Sequence, residues 1–524
     1  MKAAKGPSTP KLAFFRSLGS AAGSKLGSAI CGVVTFGFLA RALGARGLGE
    51  YRTVLTLLLF GGAIFDFGLY PLTLREISLP QVDRTRIIGS AVGLRLVSMF
   101  VGVALMSAVV AAAGFDSTVR KGVLIVGIGW VALQLHEMLK AVFQFKLAQQ
   151  RSAVAEISGA ALSLLLVIGL AQVSVGTDGM LVATAVGFCV TGCMAWYYAR
   201  RLVPFRPQMD FPMWRHFIVT CGPLAASAIL LIVRLRVDLL LLAVFRPPAE
   251  VGLYDAPVKL YELLLSLASI LGGLLTPAFI RDLRTGETIA RRLNAGLTVM
   301  AIFSGLAFAV LFSCAEPIVT LLAGPDYTSS ARPLRIIAAA ASFMGLTSIL
   351  RFGAIALDQQ SRMARADLAG VAFALVVNLI LIPQLGLMGA AVGRLVGDIV
   401  TLAVAAWSLR AYLRFRMLSS VVIGILACVC LTVVLQLTTW INVPWFVALA
   451  LGGPAVLGCM LLLPRVRSEL GTLTAVIGRP VMSSRLPPEY AFPHAATEQR
   501  PARSPACPDV SAPGSSCEAG RASD

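Results

Sequence analysis

Long apolar runs alternate with short polar breaks along nearly the whole chain. The hydrocarbon core of a bilayer is about 30 Å thick and takes about 20 apolar residues at 1.5 Å each. Runs of that length predict helical spans near 17–40, 53–73, 87–113, 118–139, 153–174, 179–199, 214–243, 253–279, 294–323, 333–357, 367–387, 388–409, 418–439 and 443–463. Fourteen spans of about 22 residues occupy roughly 310 positions and leave about ten for each connection. The expected class is therefore an all-α polytopic membrane protein with no folded domain between its spans. Glycine and proline around 383–389 leave the eleventh and twelfth spans readable as two helices or one broken one. The last pair, 417–465, reads either as part of the core or as a peripheral addition to twelve helices.

The chain's ends differ from its middle. Residues 1–16 carry Lys2, Lys5, Lys11 and Arg16 without a small-residue cleavage pattern, which predicts a cytoplasmic segment ahead of a retained first helix. From 466 to 524 the composition turns to Pro, Ser, Ala and Arg, too poor in apolar surface to build a core, so a disordered cytoplasmic tail is expected.

Composition confirms the class and raises a question about charge. Of 524 residues, 57% are hydrophobic and 14% charged, and 45 Lys+Arg against 26 Asp+Glu give a net charge of +19. In a soluble chain such an excess suggests nucleic acid. Here, with the N-terminus inside, 30 of the cations fall on the cytoplasmic side and 8 on the outer side. Positive charge collects on the cytoplasmic side of membrane proteins, so most of the excess is topology, with both termini cytoplasmic and no nucleic-acid partner.

Seven cations remain inside spans: Lys25, Arg95, Arg234, Arg236, Lys259, Arg351 and Arg394. A charge at membrane depth costs at least about 2.5 kcal/mol, so each needs a partner or a watery cavity. Spacing offers partners on the same helical face: Arg234 with Asp238, Asp255 with Lys259, Lys259 with Glu262, and Arg394 with Asp398. Arg234 and Arg236, two apart, point about 200° from one another and cannot line one cavity.

The chain also repeats itself. In "GEYRTVLTLLLFGGAIFDFGLYPLTLREI", Gly49, Tyr51, Pro71, Arg75 and Glu76 recur in "GLYDAPVKLYELLLSLASILGGLLTPAFIRDL" as Gly252, Tyr254, Pro277, Arg281 and Asp282, 203 to 206 residues later. Glu156 and Gly159 of "AEISGAALSLLLV" recur 211 residues later as Asp367 and Gly370 of "ADLAGVAFALVVN". A repeat of six helices keeps its orientation, so two parallel six-helix lobes, 17–200 and 213–412, are expected around a central cavity, with rocking between them giving alternating access.

Those blocks, with "FLARALGARGLGEYRTV", "AEPIVTLLAGPDYTSSARPLRIIA" and "LVVNLILIPQLGLMGAAVGRLVGD", carry a resemblance. The chain is similar to the polysaccharide biosynthesis flippases of the multidrug/oligosaccharidyl-lipid/polysaccharide exporter superfamily, the O-antigen-type lipid-linked oligosaccharide translocases. The resemblance runs from the first span to the twelfth. It implies a V-shaped pair of lobes, a cationic cavity, a multi-pass place in the bacterial cytoplasmic (inner) membrane and export of a polyprenyl-diphosphate-linked glycan for surface polysaccharide. It further implies membrane lipid as a partner, with a polysaccharide polymerase and glycosyltransferases as neighbours in the process.

The charges suit that cargo, because Arg and Lys donate charge-assisted bonds to phosphate oxygens. The expected diphosphate contacts are Lys25, Arg52, Arg95, Arg234, Lys259 and Arg351, with Arg52 at the outer end of the second span. Asp66, Asp238, Asp255, Glu262, Arg394 and Asp398 are the expected charge-balancing or coupling groups. No GxxxxGK[ST] loop is present, which leaves ion gradients, membrane potential or a downhill gradient as the drive. Asp66, His136, Glu137, Asp238 and Glu316 are the titratable groups at membrane depth available for proton relay. Ten scattered cysteines without CxxC and three histidines suggest no metal and no cofactor.

Rival readings stay within reach of the same residues. A peptidoglycan-precursor flippase differs only in cargo. A drug/cation antiporter of the same superfamily favours acidic and aromatic cavity groups. A membrane polymerase or ligase, the enzymatic alternative, needs an outer domain, and the predicted outer loops are too short to supply one.

Overall fold

The computed structural model describes residues 10–66, 68–173, 175–281, 286–410, 417–440, 445–462 and 466–467. Within its helices, the side chains of 10–26, 28–29, 222–228, 271, 273–281, 286–290, 417–421 and some positions beyond 435 lie outside the description, as does nearly all of the tail expected to be disordered. The described residues form helices joined by short connections, with no strand among them. The helices are α1 (Pro10–Asp66), α2 (Leu69–Ser78), α3 (Arg84–Ala112), α4 (Ser117–Phe145), α5 (Gln149–Gln172), α6 (Thr177–Leu202), α7 (Phe211–Phe245), α8 (Pro248–Arg281), α9 (Gly286–Ser313), α10 (Ala315–Ala323), α11 (Ala331–Ala356), α12 (Gln360–Leu385), α13 (Leu387–Ser408), α14 (Met417–Trp440) and α15 (Trp445–Leu462). Among the described residues nine helices are long and apolar enough to cross a membrane.

The first two expected spans lie on the single element α1, broken at Gly44, whose φ of 62° and ψ of −178° leave the helical region. A straight helix would hold Cys31 and Leu55 about 36 Å apart. Both line one cavity of 320 Å³, so the chain folds back at Gly44. Glycine adopts that backbone at no steric cost. A second glycine, Gly68 at φ 66°, separates α1 from α2.

The ambiguous junction near 383–389 resolves into two helices, α12 and α13, joined by Gly386 alone at φ 58°. The pair packs antiparallel at backbone distance: a Cβ on Gly389 would meet the Leu381 carbonyl, and one on Gly370 would meet Thr401 and the Gly397 carbonyl. The α5–α6 pair repeats this contact, with Gly159 against Thr191 and the Gly187 carbonyl. Gly159 and Gly370 are the residues that align in the sequence repeat, so the repeat is visible in three dimensions.

The two halves are joined by 203–210, which lies across α3. Gln208 donates its backbone N–H to the Gly89 carbonyl at 3.0 Å, and Trp214 Nε1 donates to the Ser90 carbonyl at 3.0 Å. Asp210 caps α7 by accepting the Met213 N–H at 3.2 Å and pairs with Arg86 at 2.7 Å. The last helices sit to one side. A Cβ on Gly424 of α14 would meet the Ala301 carbonyl of α9, and one on Gly305 of α9 the Gly424 carbonyl, while Val456 and Met460 of α15 close the same apolar cluster.

Candidate functional site

Where α1 passes α8, the two halves meet backbone to backbone. A Cβ added to Gly49 would fall on the Pro248 carbonyl, and one added to Gly252 on the Ala45 carbonyl. Gly49 and Gly252 are 203 residues apart, as are Ala45 and Pro248. The contact is therefore reciprocal, as across a two-fold axis, which runs through this seam.

One turn beyond, the next equivalent positions have diverged into opposite charges. Arg52 Nε lies 2.6 Å from Asp255 Oδ1, off the line of an ideal hydrogen bond, and Arg52 Nη2 reaches Glu262 Oε1 at 3.0 Å. Lys259 Nζ is 3.3 Å from Glu262 Oε2, and Arg236 pairs with the same carboxylate. The cluster therefore holds three cations against two carboxylates. Arg52, Asp255 and Lys259 line the 320 Å³ cavity, whose far wall includes Thr35, Tyr51 and Thr184. Arg236 Nη1 is a buried donor with no hydrogen-bond partner, and an unpaired buried donor costs about 1–3 kcal/mol. The site has donors to spare.

A second set of charges lies in the second half, four of them sealed from solvent. Arg394 grips Asp238 through two bonds of 2.7 and 2.8 Å, and Tyr254 donates to the same carboxylate at 2.6 Å. Arg234 bonds Asp398 at 2.9 Å, Tyr261 donates to Asp398 at 2.8 Å, and the Arg394 guanidinium stacks over the Tyr261 ring. Arg351 bonds Asp367 at 2.7 and 2.8 Å. The side chains of Arg234, Asp238, Arg394 and Asp398 are each exposed by 5% or less.

This arrangement corrects the pairing expected from spacing. Arg234 with Asp238 and Arg394 with Asp398 do share helical faces, but α7 and α13 exchange partners, giving Arg234–Asp398 and Arg394–Asp238. Asp255 pairs with Arg52, not with Lys259. The expected Lys259–Glu262 pair is present. Arg234 and Arg236 point into different clusters, as their spacing requires.

The third set surrounds a cavity of 730 Å³ whose walls come from α1 through α5 with Ile232 of α7. Arg95, its side chain 3% exposed, pairs with Asp66 and donates Nε to the Gln134 carbonyl at 3.1 Å. Lys140 bonds Glu137 at 2.5 Å, Tyr70 donates to Gln144, and Ser152 is held by the fully buried His136 at 3.0 Å. Glu156 lines both this cavity and the smaller one. Among the described residues no three His, Cys, Asp or Glu side chains gather as metal ligands.

Of the expected diphosphate contacts, then, Arg52 and Lys259 share the seam, Arg234 belongs to the sealed network, Arg351 sits at its partly exposed edge against Asp367, and Arg95 stands at the larger cavity. Lys25 lies outside the described side chains. Of the expected balancing groups, Asp255 and Glu262 are at the seam, Asp238, Arg394 and Asp398 in the network, and Asp66 beside Arg95. Sequence reasoning passed over Arg236 as a seam residue, Asp367 as a partner, and Glu137, Lys140 and Glu156 as cavity walls. The repeat itself held one signal, since Glu156 and Asp367 align.

An all-helical fold with two repeated halves meeting at a charged seam defines a class: the fold is that of the flippases and transporters of the MOP superfamily. The chain superposes on the lipid II flippase MurJ in an inward closed conformation with a TM-score of 0.70 at 13% identity, covering 84% of this chain and 98% of that one. An inward-facing multidrug resistance MATE transporter of the MOP superfamily matches at TM-score 0.54 and 13% identity over 76% of this chain and 98% of that one. The MATE transporter VcmN of Vibrio cholerae, in a mutant form, matches at 0.53 and 18% identity over 78% and 98%. Among curated proteins the sequence finds no match. The chain belongs to the polysaccharide biosynthesis protein family, which it matches over residues 38–332. The solved neighbours are a flippase and transporters.

Proposed function

We propose that the protein flips a polyprenyl-diphosphate-linked oligosaccharide across the bacterial cytoplasmic membrane by alternating access, in surface polysaccharide synthesis. The two lobes, 17–200 and 213–412, rock about the Gly49–Gly252 seam, and both chain termini are cytoplasmic. The observation that carries this reading is the surplus of cationic donors at the seam: Arg52, Arg236 and Lys259 against Asp255 and Glu262, with Arg236 Nη1 lacking an acceptor. A diphosphate supplies acceptors for such donors, and Arg holds phosphate in a bidentate fork while Lys adds a mobile point charge. Asp255 and Glu262 hold the cations in place between cargoes. Arg394 and Arg351, each bonded through two nitrogens to Asp238 and Asp367, and Arg234, bonded through Nη2 to Asp398, brace the second lobe.

The test is a strain lacking the chromosomal gene and carrying the Arg52→Ala, Lys259→Ala double variant. Surface polysaccharide should be lost and its lipid-linked intermediate should accumulate while the protein reaches the membrane in normal amount. Undiminished surface polysaccharide at normal abundance sinks the reading.

A further inference from the structure

The two halves connect their matching helices differently. In the first half α3 ends at Ala112 and α4 begins at Ser117, and the short link between them carries Asp116, whose ion pair is with Arg46 of the same half. In the second half α9 ends at Ser313 and α11 begins only at Ala331. The added chain forms α10 and a turn of 3-10 helix, Pro325–Ser330. Ser330 ties its base to its own half, donating Oγ to the Leu253 carbonyl at 2.7 Å. The rest reaches across to α1. Arg41 Nη2 donates to the Leu321 carbonyl at 2.5 Å, and the Tyr327 hydroxyl donates to the Ala40 carbonyl at 3.3 Å. A Cβ on Gly37 would meet the Leu322 carbonyl. Leu321 and Leu322 lie in the last turn of α10, where carbonyls lack a partner within the helix and favour a cation. Beneath them, Val319, Ala323 and Tyr327 share one apolar cluster with Phe36 and Leu39 of α1. Phe36 and Leu39 also wall the 320 Å³ cavity at the seam, so the added segment stands behind that wall.

We infer that residues 314–330 are a latch by which the second half holds the outer mouth of the transport path shut, and that Arg41 is its release point. The inference rests on the alternating-access reading above and adds to it the part that must let go. Rocking the lobes apart on the outer side has to separate α1 from whatever the second half has docked on it. At Gly49 and Gly252 that contact is backbone against backbone, with no side chain to switch. The latch is built differently, from one guanidinium and one hydroxyl on carbonyls above a small apolar contact. Arg41 and Leu321 are exposed, Leu321 by 64%. Water replaces such bonds as they open, so the segment lifts without stranding a buried charge. A contact with two discrete arrangements, biased by one charged bond, is what shifts a conformational population. The first half's link is too short to do the same, so control of the mouth is one-sided.

The experiment has a native probe, because Cys31 lines the seam cavity as a free thiol. Right-side-out membrane vesicles carrying the full chain are treated with a charged, membrane-impermeant maleimide, and labelling of Cys31 is followed by mass spectrometry. Labelling should be slow in the unaltered protein. Arg41→Ala should speed it about tenfold, the size of one charge-assisted bond, and Tyr327→Phe should speed it less. Thr320→Ala, which removes a hydroxyl bonded within α10 to the Glu316 carbonyl, should leave it unchanged. Equal labelling of Arg41→Ala and the unaltered protein, or equal acceleration by Arg41→Ala and Thr320→Ala, overturns the latch. In cells, the Arg41→Cys, Leu321→Cys double variant bridged by a short bifunctional methanethiosulfonate should lose surface polysaccharide and regain it on reduction, while neither single variant responds. Unchanged polysaccharide under complete bridging means that the segment stays on α1 throughout the cycle, which overturns the latch and leaves the transport reading standing. Normal polysaccharide in a strain lacking the gene overturns the transport reading, and the labelling result, which needs no cargo, then decides the latch by itself.

Discussion

Tyr51 and Tyr254 occupy the same place in the two halves of the chain, yet their hydroxyls meet opposite chemistry. Tyr51 shares a hydrogen bond of 2.9 Å with Thr184. Tyr254 donates at 2.6 Å to Asp238, which Arg394 holds from the other side. Arg394 stands 210 residues after Thr184, and Asp238 stands 203 after Thr35, which lines the same cavity as Tyr51 and Thr184. One half therefore has a Thr–Tyr–Thr arrangement and the other an Asp–Tyr–Arg one on equivalent helices. Small hydroxyl residues line 320 Å³ of open space, while in the second half a long guanidinium and its carboxylate partner stand at the equivalent positions. The fold needs a tyrosine with a partner at this point, and it does not need the charges. Around this tyrosine the second half is braced by charge, while the first half stays neutral and open.

The largest effect should come from leaving one charge of the brace unpaired. Arg394→Ala strands Asp238, 3% exposed, in a dry interior, and breaking a buried pair this way costs about 3–5 kcal/mol. The equivalent change in the other half, Thr184→Val, removes two neutral hydrogen bonds, the one with Tyr51 and the one donated to the Met180 carbonyl, worth about 1 kcal/mol each. Thermal unfolding of the detergent-purified protein measures both. Replacing the pair together, Asp238→Thr with Arg394→Thr, rebuilds the neutral chemistry of the first half and should unfold at a higher temperature than either single replacement, because neither charge is then stranded. Equal losses for Arg394→Ala and Thr184→Val, or a double variant worse than both singles, would erase the distinction between the halves.

Much of this was legible in the residues, and what was not has a physical cause. Apolar run length placed the helices, because bilayer thickness sets it. The repeat was read from Gly49, Tyr51, Gly252 and Tyr254, and Gly49 and Gly252 prove to touch. The pairing of Arg234 with Asp238 was misread because helical periodicity reports which residues share a face, not which helix that face meets. When α7 and α13 present the same Arg-x-x-x-Asp spacing to each other, the partners cross over. The larger cavity was legible only in pieces: Asp66, Arg95 and Glu137 stood out as charged groups at membrane depth, and only the packing of α1 through α5 brings them together with Lys140 and Glu156.

The seam should sharpen the comparison from the opposite direction, because there the halves are alike. Gly49→Ala puts a methyl into the Pro248 carbonyl, and Gly252→Ala puts one into the Ala45 carbonyl. Both are backbone atoms that have no rotamer to give way. Overpacking of this kind costs about 1–3 kcal/mol, so the effect is smaller than that of a stranded charge. The two variants should lower unfolding temperature by equal amounts and both should depress transport, since they part the same contact from its two sides. Together they should cost less than the sum of the singles, as one displacement relieves both clashes. Unequal singles or simple addition would place the axis elsewhere.

The smallest effect belongs to the connector, where only the first half is engaged. Asp210 lies at the end of the connecting segment and ties it to α3 through Arg86. The hydrogen bond from Arg86, helped by the Met213 N–H, holds its carboxyl below the ordinary carboxylate range. A lowered value in the folded state means the carboxylate form is favoured by folding, so its contribution is present above the unfolded value of about 3.9 and fades as pH falls through the lower folded one. Asn caps a helix about as well as Asp, so Asp210→Asn removes the ion pair and leaves the α7 cap. The unaltered protein should unfold at a slightly higher temperature than Asp210→Asn at pH 7, and the margin should close as the pH drops below about 4. Because Arg86 is 55% exposed, added salt should shrink the margin too. A margin that persists unchanged in acid would mean that the difference between Asp and Asn does not come from the ion pair with Arg86.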